Sequence, residues 1–141
     1  MWYLNKILIK MMKFLIPMLV IFAPYVPNGV LQDDFIADMS AYFKAGNSKE
    51  IAKNFNNSVA LSIIQEEDVY SKVQAEQILR EFFNKQSPTN SSVLHQINTN
   101  PNMRFGIISL STKSGKFRIS ITSKKVHNVF LITELRIDPE K

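Results

Sequence analysis

The stretch Ser71-Lys72-Val73-Gln74-Ala75-Glu76-Gln77-Ile78-Leu79-Arg80-Glu81-Phe82-Phe83-Asn84-Lys85 decides the fold. Ala75, Ile78, Leu79, Phe82 and Phe83 recur at intervals of three and four, and Lys72, Glu76, Gln77, Arg80, Glu81 and Lys85 occupy the other side, so the segment reads as a helix with one apolar face. Ser71 with Gln74 three residues on supplies a capping box at its start, and Gln86-Ser87-Pro88 stops it. Beyond Pro88 the apolar period changes from 3.6 to 2, in four runs over residues 93–97, 104–111, 116–123 and 129–137. Short turns separate these runs, at residues 98–102, Lys113-Ser114-Gly115 and 124–128, which predicts an antiparallel meander. Its cleanest alternation sets Phe117, Ile119 and Ile121 against Arg118, Ser120 and Thr122, giving one packed face and one wet face.

On the N-terminal side of the helix the same signals recur. Asp33-Asp34 can cap a helix carrying Phe35, Ile36, Met39, Tyr42 and Phe43 on one stripe, and Gly46 ends it. Asn47 or Ser48 opens a shorter helix, with Glu50 in the capping-box position and Ile51 and Phe55 as its apolar stripe. Asn56-Asn57-Ser58 has turn chemistry, residues 59–64 alternate as a strand, and Gln65-Glu66-Glu67-Asp68 reads as an exposed acidic turn. The expectation is an α+β domain of about three N-terminal helices packed on an antiparallel sheet of four to five strands, over residues 30–141.

The first 29 residues read as an address. Lys13 precedes ten apolar residues, Phe14 to Ala23, a length that suits a signal-peptide core. A spanning helix needs about 20 apolar residues, and Lys10 and Lys13 interrupt on one side while Pro24, Pro27, Asn28 and Gly29 interrupt on the other. No stable membrane span is expected. The segment before Met11 is long for such a leader, which makes Met12 the expected start, and removal near Gly29 avoids a cut beside Pro24. The chain is expected to be exported, to a periplasmic or extracellular location.

The formal charge of +5 includes Lys6, Lys10 and Lys13 of that leader; without them 14 basic residues face 12 acidic ones. Such a balance gives little counterion-release affinity, so nucleic acid is not an expected partner. The chain has no cysteine, which excludes disulfides, thiol catalysis and Cys-ligated metal. No cofactor motif is present and none is expected.

The order helix, helix, strand, helix, meander resembles the nuclear-transport-factor-like (cystatin-like) superfamily. More specifically, Val69-Tyr70-Ser71-Lys72-Val73-Gln74-Ala75-Glu76-Gln77-Ile78-Leu79-Arg80-Glu81-Phe82-Phe83 resembles the central helix of a family of small exported proteins of unknown function from Bacteroidetes-type bacteria. Val93-Leu94-His95, Lys116-Phe117-Arg118-Ile119 and Leu131-Ile132-Thr133-Glu134-Leu135-Arg136-Ile137 resemble its strands. The resemblance implies a strongly curved sheet wrapped on the long helix as a cone. It brings no reaction and no functional residues with it, because fold alone does not choose between the enzymes and the binding domains of such a superfamily.

A cone can hold a ligand, and the candidate lining is Phe55, Leu61, Phe82, Phe105, Phe117, Ile119 and Leu135; the same residues can equally be its packed core. His95 shares a strand face with Val93 and Ile97 by period, and is the weak candidate for a general base in an isomerase-like or dehydratase-like site. Without an identified carboxylate or Tyr partner, a structural histidine is the default reading. Glu66, Glu67 and Asp68 are adjacent acids lacking the spaced oxygens of a cation loop, so no metal site is expected. Lys113, Lys116, Arg118, Lys124 and Lys125 make either a positive patch for an anionic surface or a solvated face that guards strand edges. The leading functional expectation is a non-enzymatic module for a small apolar ligand or a protein partner, with a homodimer through the exposed sheet as one form; the alternative is a small enzyme using His95.

Overall fold

The first helix, α1 (Phe35–Ala45), forms because Ile36, Met39, Ser40 and Phe43 bury one stripe, and it ends where Gly46 turns left-handed at φ 62°. The Gly46 N–H donates to the Phe43 carbonyl at 3.0 Å and the Asn47 N–H to that of Tyr42 at 2.9 Å, satisfying carbonyls the helix end leaves open. At its other end Asp34 holds the capping position without a side-chain capping bond. The second helix, α2 (Ser48–Lys53), starts with Asn47 Oδ1 accepting the Glu50 N–H at 3.1 Å. The Glu50 carboxylate accepts from Lys53 Nζ at 2.6 Å and so raises the lysine pKa above its ordinary value. Helix α3 (Lys72–Lys85) carries the expected capping box in full: Ser71 Oγ accepts the Gln74 N–H at 3.3 Å, and Gln74 Oε1 accepts the Ser71 N–H at 3.1 Å.

These elements are seen in a computed structural model that describes Tyr3 and residues 34–141. The expected leader over residues 1–29 and the start at Met12 lie, Tyr3 apart, outside the described residues. The strands are β1 (Phe55–Ile63), β2 (Glu66–Ser71), β3 (Pro88–Ile97), β4 (Met103–Thr112), β5 (Gly115–Val126) and β6 (Val129–Pro139). They form one curved sheet of six in the order β2-β1-β6-β5-β4-β3. The expected meander is β3 to β6.

Three features correct the sequence reading. The sheet has six strands rather than four to five, because the supposed acidic turn is strand β2, paired with β1 from Ser58 opposite Ser71 to Ile63 opposite Glu66. The turn itself is only Ile64 and Gln65, both at positive φ (48° and 72°), a two-residue hairpin geometry that usually announces itself with Asn or Gly. Asn56, Asn57 and Ser58 lie inside β1, where a register irregularity between Phe55 and Ala60 absorbs them. Finally, the sheet is not purely antiparallel: β1 runs parallel to β6, Leu61 beside Leu135 and Ile63 beside Ile137.

All three helices pack on strands or on one another, α1 on β3 and β4, α3 on α2, β1 and β2. The sheet face beneath them carries Val59, Leu61, Ile108, Leu110, Phe117, Ile119, Ile121, Ile132, Leu135 and Ile137, all buried. Phe82 links the layers, edge-on to Phe83 at 5.6 Å and to Phe117 at 5.2 Å between centroids, while Phe43 meets Phe83 at 5.8 Å. Bulges or register shifts interrupt β1, β3 and β6, and such interruptions bend and twist a sheet.

Candidate functional site

The interior of the cone is filled. Of the proposed lining residues, Phe55, Leu61, Ile119 and Leu135 are at most 1% exposed, and Phe82 and Phe117 are 5% and 6% exposed. Phe105 lies on the opposite face, because its neighbour Gly106 and then Ile108 and Leu110 take the buried positions of β4. Phe105 stands there between Ile97 of β3 and Thr122 of β5.

His95 is exposed on β3, at one edge of the sheet. A register shift between Val93 and His95 puts Val93 opposite Ile108 on the helix-covered side and His95 opposite Ile107 on the other, so the two do not share a face. Among the described residues, no three His, Asp or Glu side chains converge as a metal would require. On β2, Glu67 approaches Arg136 at 3.5 Å, and the Asp68 carboxylate accepts the N–H of Val69 at 2.7 Å. Arg136 also meets Asp138 at 3.8 Å. Lys116, Arg118 and Lys124 project from the helix-free face of β5, Lys113 sits in the β4–β5 turn, and Lys125 stands over the Phe130 ring at 5.8 Å.

One concavity among the described residues lies between the C-terminal half of α3 and the β1–β2 turn. It is a half-open cleft of about 310 Å³, at the small end of ligand sites. Ile63, Ile64, Ile78 and Phe82 supply its apolar walls, and Glu66, Glu81, Lys85 and Gln86 its polar ones. The helical contributions are residues 78, 81, 82 and 85, one stripe at intervals of three and four that straddles the boundary between the buried and wet sides of α3. Gln86 is held by its Oε1 accepting from Thr112 Oγ1 at 3.3 Å. Ile64 is held by its N–H donating to the Ile137 carbonyl at 2.9 Å. Ile64 is 44% exposed and β-branched, yet sits in the left-handed region, where such a residue carries strain of about 1–2 kcal/mol.

Of the seven residues expected to line a ligand pocket only Phe82 reaches this cleft. By sequence Ile64, Glu66 and Gln86 belong to a strand end, a turn and a helix stop, and no local signal marks them as neighbours. They meet because the β1–β2 hairpin folds back beside α3. Chemically, the cleft offers an apolar floor with two carboxylates and one ammonium at its edge, suited to an amphipathic group.

Residues 36–138 match a family described as a domain of unknown function, DUF4783. A solved DUF4783 protein from Bacteroides uniformis is 31% identical, with a TM-score of 0.70 over 73% of this chain and 94% of that one. One from Bacteroides ovatus is 32% identical, with a TM-score of 0.70 over 74% and 94%. At the level of fold alone, the chain is similar to a domain of unknown function with a cystatin-like fold from Nostoc punctiforme, with 10% identity and a TM-score of 0.60 over 76% of this chain and 74% of that one. The curated proteins contain no match.

Proposed function

The chain belongs to the DUF4783 family of domains of unknown function, and from its own geometry we propose that it is a non-enzymatic binding module acting outside the cytoplasm. Its cleft takes the apolar part of a small ligand, or an apolar side chain of a protein partner. One observation carries this reading: an exposed isoleucine, Ile64, is kept in a left-handed turn at the wall of the cleft. Strain of that kind persists where the surroundings enforce it, and it clusters at ligand clamps. The filled interior favours the cleft over the centre of the cone as the place of binding. The candidate base His95 is on β3, at the far edge of the sheet from the hairpin that walls the cleft, which favours binding over catalysis. Export is supported by Lys13 and the ten apolar residues that follow it.

Native mass spectrometry and organic extraction of the protein recovered from the cells that make it test this reading. The expected result is a bound small molecule, or a co-purifying partner, that is lost in Ile78→Glu while the melting temperature stays near that of the parent. Ile78 is half-buried and packs on the rim of the core rather than within it, so the melting temperature separates loss of binding from loss of the fold. Identical recovery of the bound species by parent and variant would remove the cleft from the mechanism.

A further inference from the structure

The two edges of the sheet are chemically unlike. Strand β2 is short, six residues, and carries Glu66, Glu67 and Asp68, all exposed. Strand β3 is ten residues long, and from Pro88 to Asn102 the chain holds no Lys, Arg, Asp or Glu at all. An unpaired edge presents a row of backbone donors and acceptors, and edges exposed to solvent are ordinarily guarded by charge or by brevity. The β2 edge has both of these guards; the β3 edge has neither and relies on Pro88 at its start and on irregularities in its register. β3 exposes three large apolar side chains, Val93 at 37%, Leu94 at 51% and Ile97 at 40%, where β2 exposes one, Val69 at 64%, among its acidic residues. Its bulge, between Val93 and His95, is a device that elsewhere protects an edge, but here the residue it presents is Leu94, an apolar knob rather than a charge.

We propose that β3 is an interface at which a second copy of this chain adds its own β3, antiparallel and about a twofold axis near Leu94, to make one continuous sheet across the dimer. Charge selects the occupant. A twofold contact lays the same surface on itself, so any charge on the edge would face its like. The β3 edge has no Lys, Arg, Asp or Glu and His95 as its one titratable side chain, so it pairs with itself without opposing fixed charges, whereas two β2 edges would oppose Glu66, Glu67 and Asp68 to one another. The assembly therefore closes at two copies instead of growing into a fibre. The inference does not use the cleft, and it stands or falls separately from the binding reading.

Sedimentation velocity and light scattering on the recovered chain, between 5 and 100 μM by order of magnitude of typical working concentrations, test it. The expected result is twice the chain mass in the upper part of that range. Leu94→Lys should weaken the dimer at least tenfold, with an unchanged far-ultraviolet spectrum, and Val69→Lys on the β2 edge should leave it as it was. Because the chain has no cysteine, Leu94→Cys gives an independent measurement, and oxidation should link two copies through it. A single-chain mass throughout overturns the proposal. So does a dimer that survives Leu94→Lys, or, should that variant fail to fold, a Leu94→Cys protein that does not cross-link.

Discussion

At Gly106 the side chain of Ile36 from α1 lies so close to the sheet that a Cβ would overlap it, and replacing the glycine tests this packing. A Cβ built on Gly106 would lie 2.5, 2.6 and 2.8 Å from Cγ2, Cδ1 and Cγ1 of Ile36. Carbon atoms in contact prefer about 3.5–4.0 Å, so the three overlaps are each close to an ångström. Ile36 is 2% exposed and cannot swing into solvent, so α1 must shift or the side chain must leave its rotamer. Overpacking of this kind costs about 1–3 kcal/mol. Alanine in place of glycine within a strand returns about 0.5–1 kcal/mol through the unfolded chain. The net expectation for Gly106→Ala is a loss of about 1–2 kcal/mol, or about 5–10 °C in Tm for a domain near 100 residues. Urea unfolding followed by circular dichroism reads it as a lower midpoint at constant slope. Ile36→Ala removes all three overlapping atoms, so the double variant should be more stable than the sum of the two single losses predicts, by at least about 1 kcal/mol. A neutral or stabilising Gly106→Ala, or strict additivity in the double variant, would refute the close approach.

Two further substitutions probe the local devices that fix the ends of elements. Ile64→Asn places a residue that tolerates the left-handed region at φ 48°, so the domain should gain about 1 kcal/mol in the same urea assay while losing affinity for whatever occupies the cleft; a loss of stability would mean that the turn is not strained. Ser71→Ala removes one half of the α3 capping box and should lose about 1 kcal/mol, with Ser71→Asp recovering most of it; an unchanged midpoint for the alanine variant would show that the helix start is held by packing alone.

What was legible in the sequence was whatever local chemistry dictates. Ser71 and Gln74 announced α3, Gly46 announced the end of α1, and the change of period after Pro88 announced the meander. Strand β2 was not legible, because its sequence Glu-Glu-Asp looks solvated and its turn, Ile64-Gln65, contains neither residue that left-handed turns favour. The pairing of β1 with β6 joins residues more than 70 positions apart, and no pattern within either strand encodes it. Parity failed at two places for a definable reason. In Arg104 to Leu110 apolar residues occupy both alternating sets, so the position of Phe105 could be settled only by the glycine beside it meeting α1. In β3 the bulge at Leu94 inserts one residue and turns Val93 away from His95.

The cleft is not legible in the sequence for a related reason: it is built at the boundary of an amphipathic stripe, where period assigns residues to neither side. Ile78 and Phe82 belong to the inward set of α3 and Glu81 and Lys85 to the outward set, yet all four border one space. That placement has a mechanical consequence. Phe82, which borders the cleft, also packs edge-on against Phe83 and Phe117, so this part of the lining is fixed by the core itself. A surface already fixed before binding loses little side-chain entropy on contact, whereas a floor of flexible methionines would have to be ordered by the ligand. The hairpin contributes the strained Ile64 to the same lining, next to Ile63 and with its N–H donating to the Ile137 carbonyl. On the binding reading, adjustment to a ligand would fall to the turn rather than to the helix, and Ile64→Asn separates the two: it leaves Phe82 in place and changes only the turn.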